Sequence, residues 1–487
     1  MRANAGRVLL WSWLVVGIAM PAGGHPSTRA RGALSQAEGQ QRAVRPDGTT
    51  PLHDAANVDD VDAMARLIAA GADVRAANRY GVTPLWLACL NGNAAAIELL
   101  LKAGADANTR LPGGDTVLMA AARTGKVDAV RALLRRGADV SVREGWRGQT
   151  ALMWAAAEGH AGVLEALVGR GADVHARSQG GFTALLFAAR EGQIAAVKAL
   201  VAAGGSLKDA VPATTPLHDP GDAPETPSAD AGLDVFLLAA ANAHYELAAW
   251  LLDRGADPNA SPRGYTALHQ VSWVRKAGIA GSNNPAPQGS GSMDSLEFVR
   301  RLVAKGGAVN ARVTGKPPMG LTTLNPIGST PLLLAARTAD FELMRLLAQL
   351  GADPRLPNED GSTPLLVAAG VGTQNPGEDP GTEPEVLEAV KVALELGNDL
   401  NVVDKNGDTV MHGAAYKHAP SVVRFLAERG LRSDVWNHQN ARGWTPLKIA
   451  EGVQRGMNII SSPVTATAIR EVLERGTPAP GSAPTSR

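Results

Sequence analysis

The chain reads as an all-α solenoid of about eleven helix-turn-helix units, and three observations carry that reading. A helix-opening phrase of the type Thr-Pro-Leu-x-x-Ala-Ala returns eleven times, most often at an interval of 33 residues. A Gly stands 21 residues after the Thr in eight of the units. A single unit of this length cannot bury a core, because isolated folds below ~40 residues usually need disulfides, metals or partners, so the units must stack.

The phrase is anchored at Thr50, Thr83, Thr116, Thr150, Thr183, Asp234 (a degenerate copy), Thr266, Thr330, Thr363, Thr409 and Thr445, covering the chain from about residue 46 to about 476. Thr caps the first helix of each unit through its hydroxyl, and Pro51, Pro84, Pro331, Pro364 and Pro446 sit at the first helical position, where no backbone bond is lost. The following Leu points inward, and small pairs such as Ala55 with Ala56, or Ala188 with Ala189, let neighbouring helices approach. A second helix follows with apolar residues at helical spacing, as in Ile97, Leu100 and Leu101 or Val130, Leu133 and Leu134. It ends at the Gly: Gly71, Gly104, Gly137, Gly171, Gly204, Gly255, Gly351 or Gly430.

With Gly-Ala-Asp-Val closing one unit and Gly-x-Thr-Pro-Leu opening the next, the chain resembles the ankyrin-repeat family over almost all of its length. The resemblance implies two antiparallel helices per unit, a projecting β-turn finger between units, and a concave face made by fingers and first helices that binds other proteins. It also implies where partners touch: finger tips, the residue just before the Thr, and the end of the first helix. Those places hold Arg79, Tyr80, Leu90 and Asn91 in the second unit, and Arg110, Arg123 and Thr124 in the third. The fourth and fifth hold Trp146, Arg147, Gln149, Glu158, Phe182, Arg190 and Glu191. Arg with aromatic residues along one groove is a hot-spot composition. In the family, His three residues after the Thr makes a structural hydrogen bond near the finger, which is the role expected of His53, His269 and His412.

The repeat is interrupted in its C-terminal half. Expanded loops are expected near 276–292, 372–384 and 452–462 between the helices of a unit, and near 206–232 and 313–328 in fingers. The stretch 313–328, with Pro317, Met319, Leu321 and Leu324, is apolar enough to predict an ordered contact, whereas 212–230 reads as disordered. Trp273 stands where it could anchor the 276–292 loop, and Trp154 and Phe187 take inner positions of first helices.

Residues 1–24 carry Arg2 and Arg7, then an apolar run from Val8 to Met20 and small residues, the pattern of a secretory signal cleaved after Ala22 or Gly24. A linker at 25–45, a disordered tail at 477–487 and a periplasmic or secreted destination follow as expectations. With 47 basic and 47 acidic residues the chain has no electrostatic footprint for nucleic acid or anionic lipid, so a monomer with protein partners and no membrane insertion after cleavage is expected. The only cysteine, Cys89, takes the place of a packing Ala, and no disulfide can form within the chain. Asp404-x-Asn406-x-Asp408 opens like a calcium loop, but Ala415 stands where its twelfth-position Glu belongs. No phosphate loop, nucleophile elbow or zinc spacing is present, so no cofactor, metal or catalytic residue is expected. The rival reading is an enzyme or metal-binding protein whose site is formed by the expanded seventh to ninth units, using His269 or His412 with the acidic 372–384 loop.

Overall fold

The computed structural model describes residues 44–213, 230–276, 289–317, 319, 322–377, 379–455 and 458–475. The expected leader, most of the expected 25–45 linker, Glu378 and the expected tail therefore lie outside the described residues, as do 214–229 of the first finger insert and 277–288 of the next loop. The chain divides into two compact bodies, 1–235 and 236–487.

Five hairpins form the first body: α1 (Pro51–Asn57) with α2 (Val61–Ala69), α3 (Pro84–Asn91) with α4 (Ala94–Lys102), α5 (Val117–Arg123) with α6 (Val127–Arg135), α7 (Ala151–Ala157) with α8 (Ala161–Val168), and α9 (Ala184–Arg190) with α10 (Ile194–Ala202). Each first helix packs on the next first helix and each second helix on the next second helix. The expected caps are present: the Thr83 hydroxyl accepts the Trp86 N–H at 3.2 Å, and Thr50, Thr116, Thr150 and Thr183 act alike. Leu52, Leu85, Leu118, Leu152 and Leu185 are all buried, each contributing about 1.5–3 kcal/mol of transfer free energy. Cys89 is fully buried among them. At the closing Gly71 a Cβ would meet nothing within 4 Å, so its φ of +86° alone demands glycine.

The second body begins within α11 (Val235–Ala241) and continues through α12 (Tyr245–Leu252), α13 (Ala267–Val274), α14 (Ser295–Ala304), α15 (Pro331–Arg337), α16 (Phe341–Gln349), α17 (Pro364–Ala369), α18 (Glu383–Glu395), α19 (Val410–Lys417), α20 (Pro420–Glu428), the short α21 (Ser433–Trp436), α22 (Pro446–Glu451) and α23 (Pro463–Arg475). First helices α13, α15, α17, α19 and α22 stack in order, with α16, α18, α20 and α23 stacked beside them. Between α17 and α19 the packing is close: a Cβ on Gly413 would stand 3.0 Å from the Val371 nitrogen, so the usual Ala there would force the backbone to shift.

The inserts depart from simple loops. Residues 453–455 and 458–460 form a two-stranded antiparallel hairpin (β1, Val453–Arg455; β2, Asn458–Ile460), an addition to the all-helical expectation. Helix α18 starts at Glu383, inside the stretch expected to be loop to 384. The 313–328 insert is packed: Val313, Met319 and Leu324 are buried in one cluster with Tyr265, Trp273, Leu333, Leu334 and Val367. Trp273 meets Tyr265 edge-on at 5.1 Å and helps to anchor this finger insert, while most of the 276–292 loop expected to rest on it lies outside the described residues. In the first body, Ala210 and Asp234 pair as an antiparallel bridge, which keeps the finger base intact around the 206–232 insert.

Candidate functional site: fingers and the ends of the first helices

The fingers are held by two devices that the repeat period alone does not reveal. One is an oxygen-bearing side chain at the finger base that gathers the N–H groups of the turn. Asn78 accepts from Tyr80 and Val82, Asn358 from Ser362, Asp404 from Asn406 and Asp408, and Asn440 from Arg442 and Trp444. All four stand five residues before the Thr. In the fourth repeat the acceptor is Glu144, six before Thr150, and its longer side chain spans the extra residue to accept from Trp146, Arg147 and Gln149. The second device is one main-chain bond from finger to finger: Arg79 N–H to the Asp47 carbonyl at 2.8 Å, Gly145 to Gly113 at 2.9 Å, Gln179 to Arg147 at 2.8 Å, and, in the second body, Ala441 to Asn406 at 2.7 Å.

Arginines reinforce this rail. Arg177 donates to its own finger at Gly181 (2.7 Å) and to the next at Ala210 (3.0 Å), and Arg312 joins Gly328 (2.9 Å) to Pro357 (2.7 Å) in the same way. Part of the arginine in this chain is therefore bound up in tying finger to finger.

The histidines stitch helix to finger. The Thr50 N–H donates to His53 Nδ1 at 3.1 Å, so the proton sits on Nε2, which donates to the Val82 carbonyl of the next repeat at 2.9 Å. His269 does the same toward Ala311 at 3.0 Å, and His412 toward Trp444 at 3.2 Å. Burial pushes both down from 6.5 to about 4. Both ring nitrogens of each are taken up by these structural bonds. Among the described residues no group of three His, Cys, Asp or Glu gathers to hold a metal ion. Asp404 and Asp408 belong to a finger turn, as their spacing required.

Of the residues placed on the binding face, Tyr80 and Leu90 are each 48% exposed and Trp146 is 68% exposed. Arg79 lies over the Tyr80 ring, its charge centre 4.7 Å from the centroid. Asn91 donates to the Ala56 and Asn57 carbonyls and to Asp59, closing the end of α1. Arg123 pairs with Glu158 at 3.8 Å across one repeat boundary, and Arg190 with Glu191 at 3.0 Å. Thr124 donates to the Ala121 carbonyl, and Arg110 and Arg147 are exposed at finger positions. Gln149 and Phe182 lie inside instead: Gln149 is held through its N–H on Glu144, and Phe182 packs on Phe187 at 5.1 Å beneath Arg190. The residue just before the Thr is thus inward in these two repeats because the turn packs it over the following helix.

One carboxylate of the acidic insert in the ninth repeat, Asp379, faces inward as well. Asp379 is buried between Arg337 (3.5 Å) and Lys417 (3.8 Å), and Lys417 also donates to the Pro380 carbonyl at 2.9 Å. Burial lowers Lys417 to about 8, with Asp379 opposing. Arg455, from the hairpin insert, donates to the Tyr416 carbonyl at 2.9 Å and stands 3.1 Å from His418.

The geometry of stacked hairpins with stitched fingers agrees with the comparisons. Family profiles for ankyrin repeats match residues 30–111, 105–178, 236–273, 327–359 and 384–427, more than half of the chain, and the chain belongs to the ankyrin-repeat family. It is 32% identical over 75 residues to ankyrin repeat protein 14 of Vaccinia virus (strain Western Reserve), a stretch that is 15% of this chain and 30% of that protein. Ankyrin repeats are in general modules for protein-protein interaction. No helix among the described residues is long and apolar enough to cross a membrane.

Proposed function

We propose that this protein is an exported, non-enzymatic scaffold that binds envelope or extracellular proteins along the fingers and first-helix ends of its first body, with the inserts of the second body adding contacts. One observation carries the reading: Trp146, the largest apolar side chain left in solvent among the described residues, stands on a finger tip fixed by Glu144 and by bonds to both neighbouring fingers. An aromatic ring presented on a rigid support binds at low entropic cost. The leader-like residues 1–24 support export.

The test is capture of partners from envelope and medium fractions with the wild-type chain and with Trp146→Ala. Retention of specific proteins that falls about tenfold with Trp146→Ala, with stability unchanged within ~0.5 kcal/mol, supports the reading. Retention identical in both forms removes Trp146 from the surface, and no retention by either form defeats the scaffold. Fractionation of the producing cell decides the destination.

A further inference from the structure

A cavity of about 150 Å³ opens in the second body between residues of four successive fingers and the end of α19. That is ample room for one small charged group. Its wall carries two carboxylates, Asp360 and Asp408, and a single cation, Arg442. Asp360 accepts from the side-chain amides of Asn325 at 2.8 Å and Asn406 at 3.4 Å. Asp408 is nine-tenths buried and accepts from Asn440 at 2.7 Å and from the Tyr416 hydroxyl at 3.4 Å.

These carboxylates are held by neutral donors, and neither lies within 4.0 Å of a cationic side chain among the described residues. Arg442 is exposed on the rim, 5.3 Å over the Trp444 ring. A buried carboxylate is costly unless matched by opposite charge, and burial pushes Asp408 up to about 6. Two carboxylates against the one guanidinium of Arg442, whose charge also acts on Asp408, leave the lining net negative, so it favours a cation over an anion. A metal ion is a poor match, because the oxygens already accept amide protons and no third carboxylate or imidazole joins them. Leu324 and Val371 supply an apolar flank, along which the methylene stem of a long cationic side chain can lie with its head at the carboxylates.

We propose that this cavity receives the guanidinium or ammonium head of an Arg or Lys side chain projecting from a protein partner. The assignment rests on the scaffold reading for the partner's class, while the cavity's preference for cations stands by itself. Asp360 and Asp408 are the specificity-determining pair; Asn440, which donates to both Asp408 and the Tyr416 hydroxyl (2.8 Å), orients Asp408.

The full chain is titrated with N-acetyl-arginine methylamide, its lysine counterpart, and the citrulline counterpart that keeps arginine's shape without its charge, following the Asn440 side-chain amide by NMR. Saturable shifts with the two cations, and binding of citrulline weaker by roughly tenfold or more, are expected. Asp408→Asn and the more exposed Asp360→Asn should each weaken the cations by about tenfold, with circular dichroism confirming the fold. Citrulline binding as tightly as arginine, no saturable shift up to tens of millimolar, or full binding by both folded variants overturns the assignment. Partner capture is scored in parallel. Capture retained alongside a failed titration sinks this inference alone, whereas a positive titration with no capture sinks the scaffold and leaves the cation site standing.

Discussion

His269 joins its own helix to the next finger, and its burial makes the second body sensitive to acid in a calculable way. Its imidazole is fully buried, and burial lowers it from 6.5 to about 4. Because the folded value lies below the unfolded one, the unfolded chain binds more protons between those pH values, so stability rises with pH across that window and is lost as pH falls through it. The full effect is about 3 kcal/mol, and near pH 5 the slope is about 1.2 kcal/mol per pH unit. Asp408 works in the opposite sense: burial raises it from 3.8 to about 6, so its contribution falls as pH rises between those values. Comparison of wild type with His269→Gln removes that opposing contribution. The variant should be less stable at pH 7 by about 1–3 kcal/mol, since the Ala311 and Ser329 carbonyls lose their donor. The decisive quantity is the slope: urea unfolding between pH 4 and 6.5, read by hydrogen exchange in α13, should show a pH dependence shallower by about 1 kcal/mol per unit in the variant. Parallel loss of stability in the two proteins would refute the assignment of a buried neutral imidazole.

Two further outcomes follow from buried groups. Asp379→Asn leaves Arg337 and Lys417 buried without their carboxylate and should cost about 3–5 kcal/mol in urea unfolding, whereas removing an exposed ion pair such as Arg432 with Asp434 should leave the unfolding midpoint nearly unchanged. Cys89 is fully buried and burial pushes its thiol up, so a thiol reagent at pH 8 should label it at the opening rate of the first body, about a hundredfold or more below a free thiol; immediate labelling of the native chain would contradict its packing role.

What the sequence displayed was whatever recurs with the period. The Thr caps, inward Leu, small pairs and closing glycines each follow from a local rule repeated at fixed spacing, and the family resemblance rests on them. The finger acceptors were legible in principle, since Asn78, Asn358, Asp404 and Asn440 share one place before the Thr, but their residue type changes from Asn to Asp, and Glu144 shifts by one. The turn nine residues after the Thr is another muted signal: Gly92, Gly125, Gly159 and Gly192 adopt positive φ there, and so do Asp59, Ala243, Ala339 and His418, which hide the pattern. The cavity was not legible at all. Its carboxylates and amides come from fingers whose spacing is altered by inserts, and no local rule states which insert folds over which repeat. Gln149 and Phe182 show the same limit, because register places a residue before the Thr while tertiary packing decides whether it faces water.

The inserts also change how stability propagates. In the first body the described hydrogen bonds join each hairpin to the next, so the free energy is close to a sum of repeat and nearest-neighbour contributions. The second body adds links that skip a repeat. Lys276 of the seventh pairs with Glu385 of the ninth, and Thr322 and Thr323, in the finger ahead of the eighth, bond the Gly372 carbonyl of the ninth. Asp379 of the ninth adds a buried cluster shared by three repeats, pairing with Arg337 of the eighth on one side and Lys417 of the tenth on the other. Such bridges raise the cost of opening one repeat without its second neighbour, so the body should unfold in larger steps. Ile449→Ala in the eleventh repeat removes about 2–5 kcal/mol, and its loss of exchange protection should spread through α19 and α17. Leu52→Ala, at the far end of the first body, should expose α1 and α3 while leaving α9 protected. If deprotection decays over the same number of repeats in both bodies, the skipping links carry no cooperativity. If adding Lys276→Met and Arg337→Met confines the spread to α22 and α19, they carry most of it.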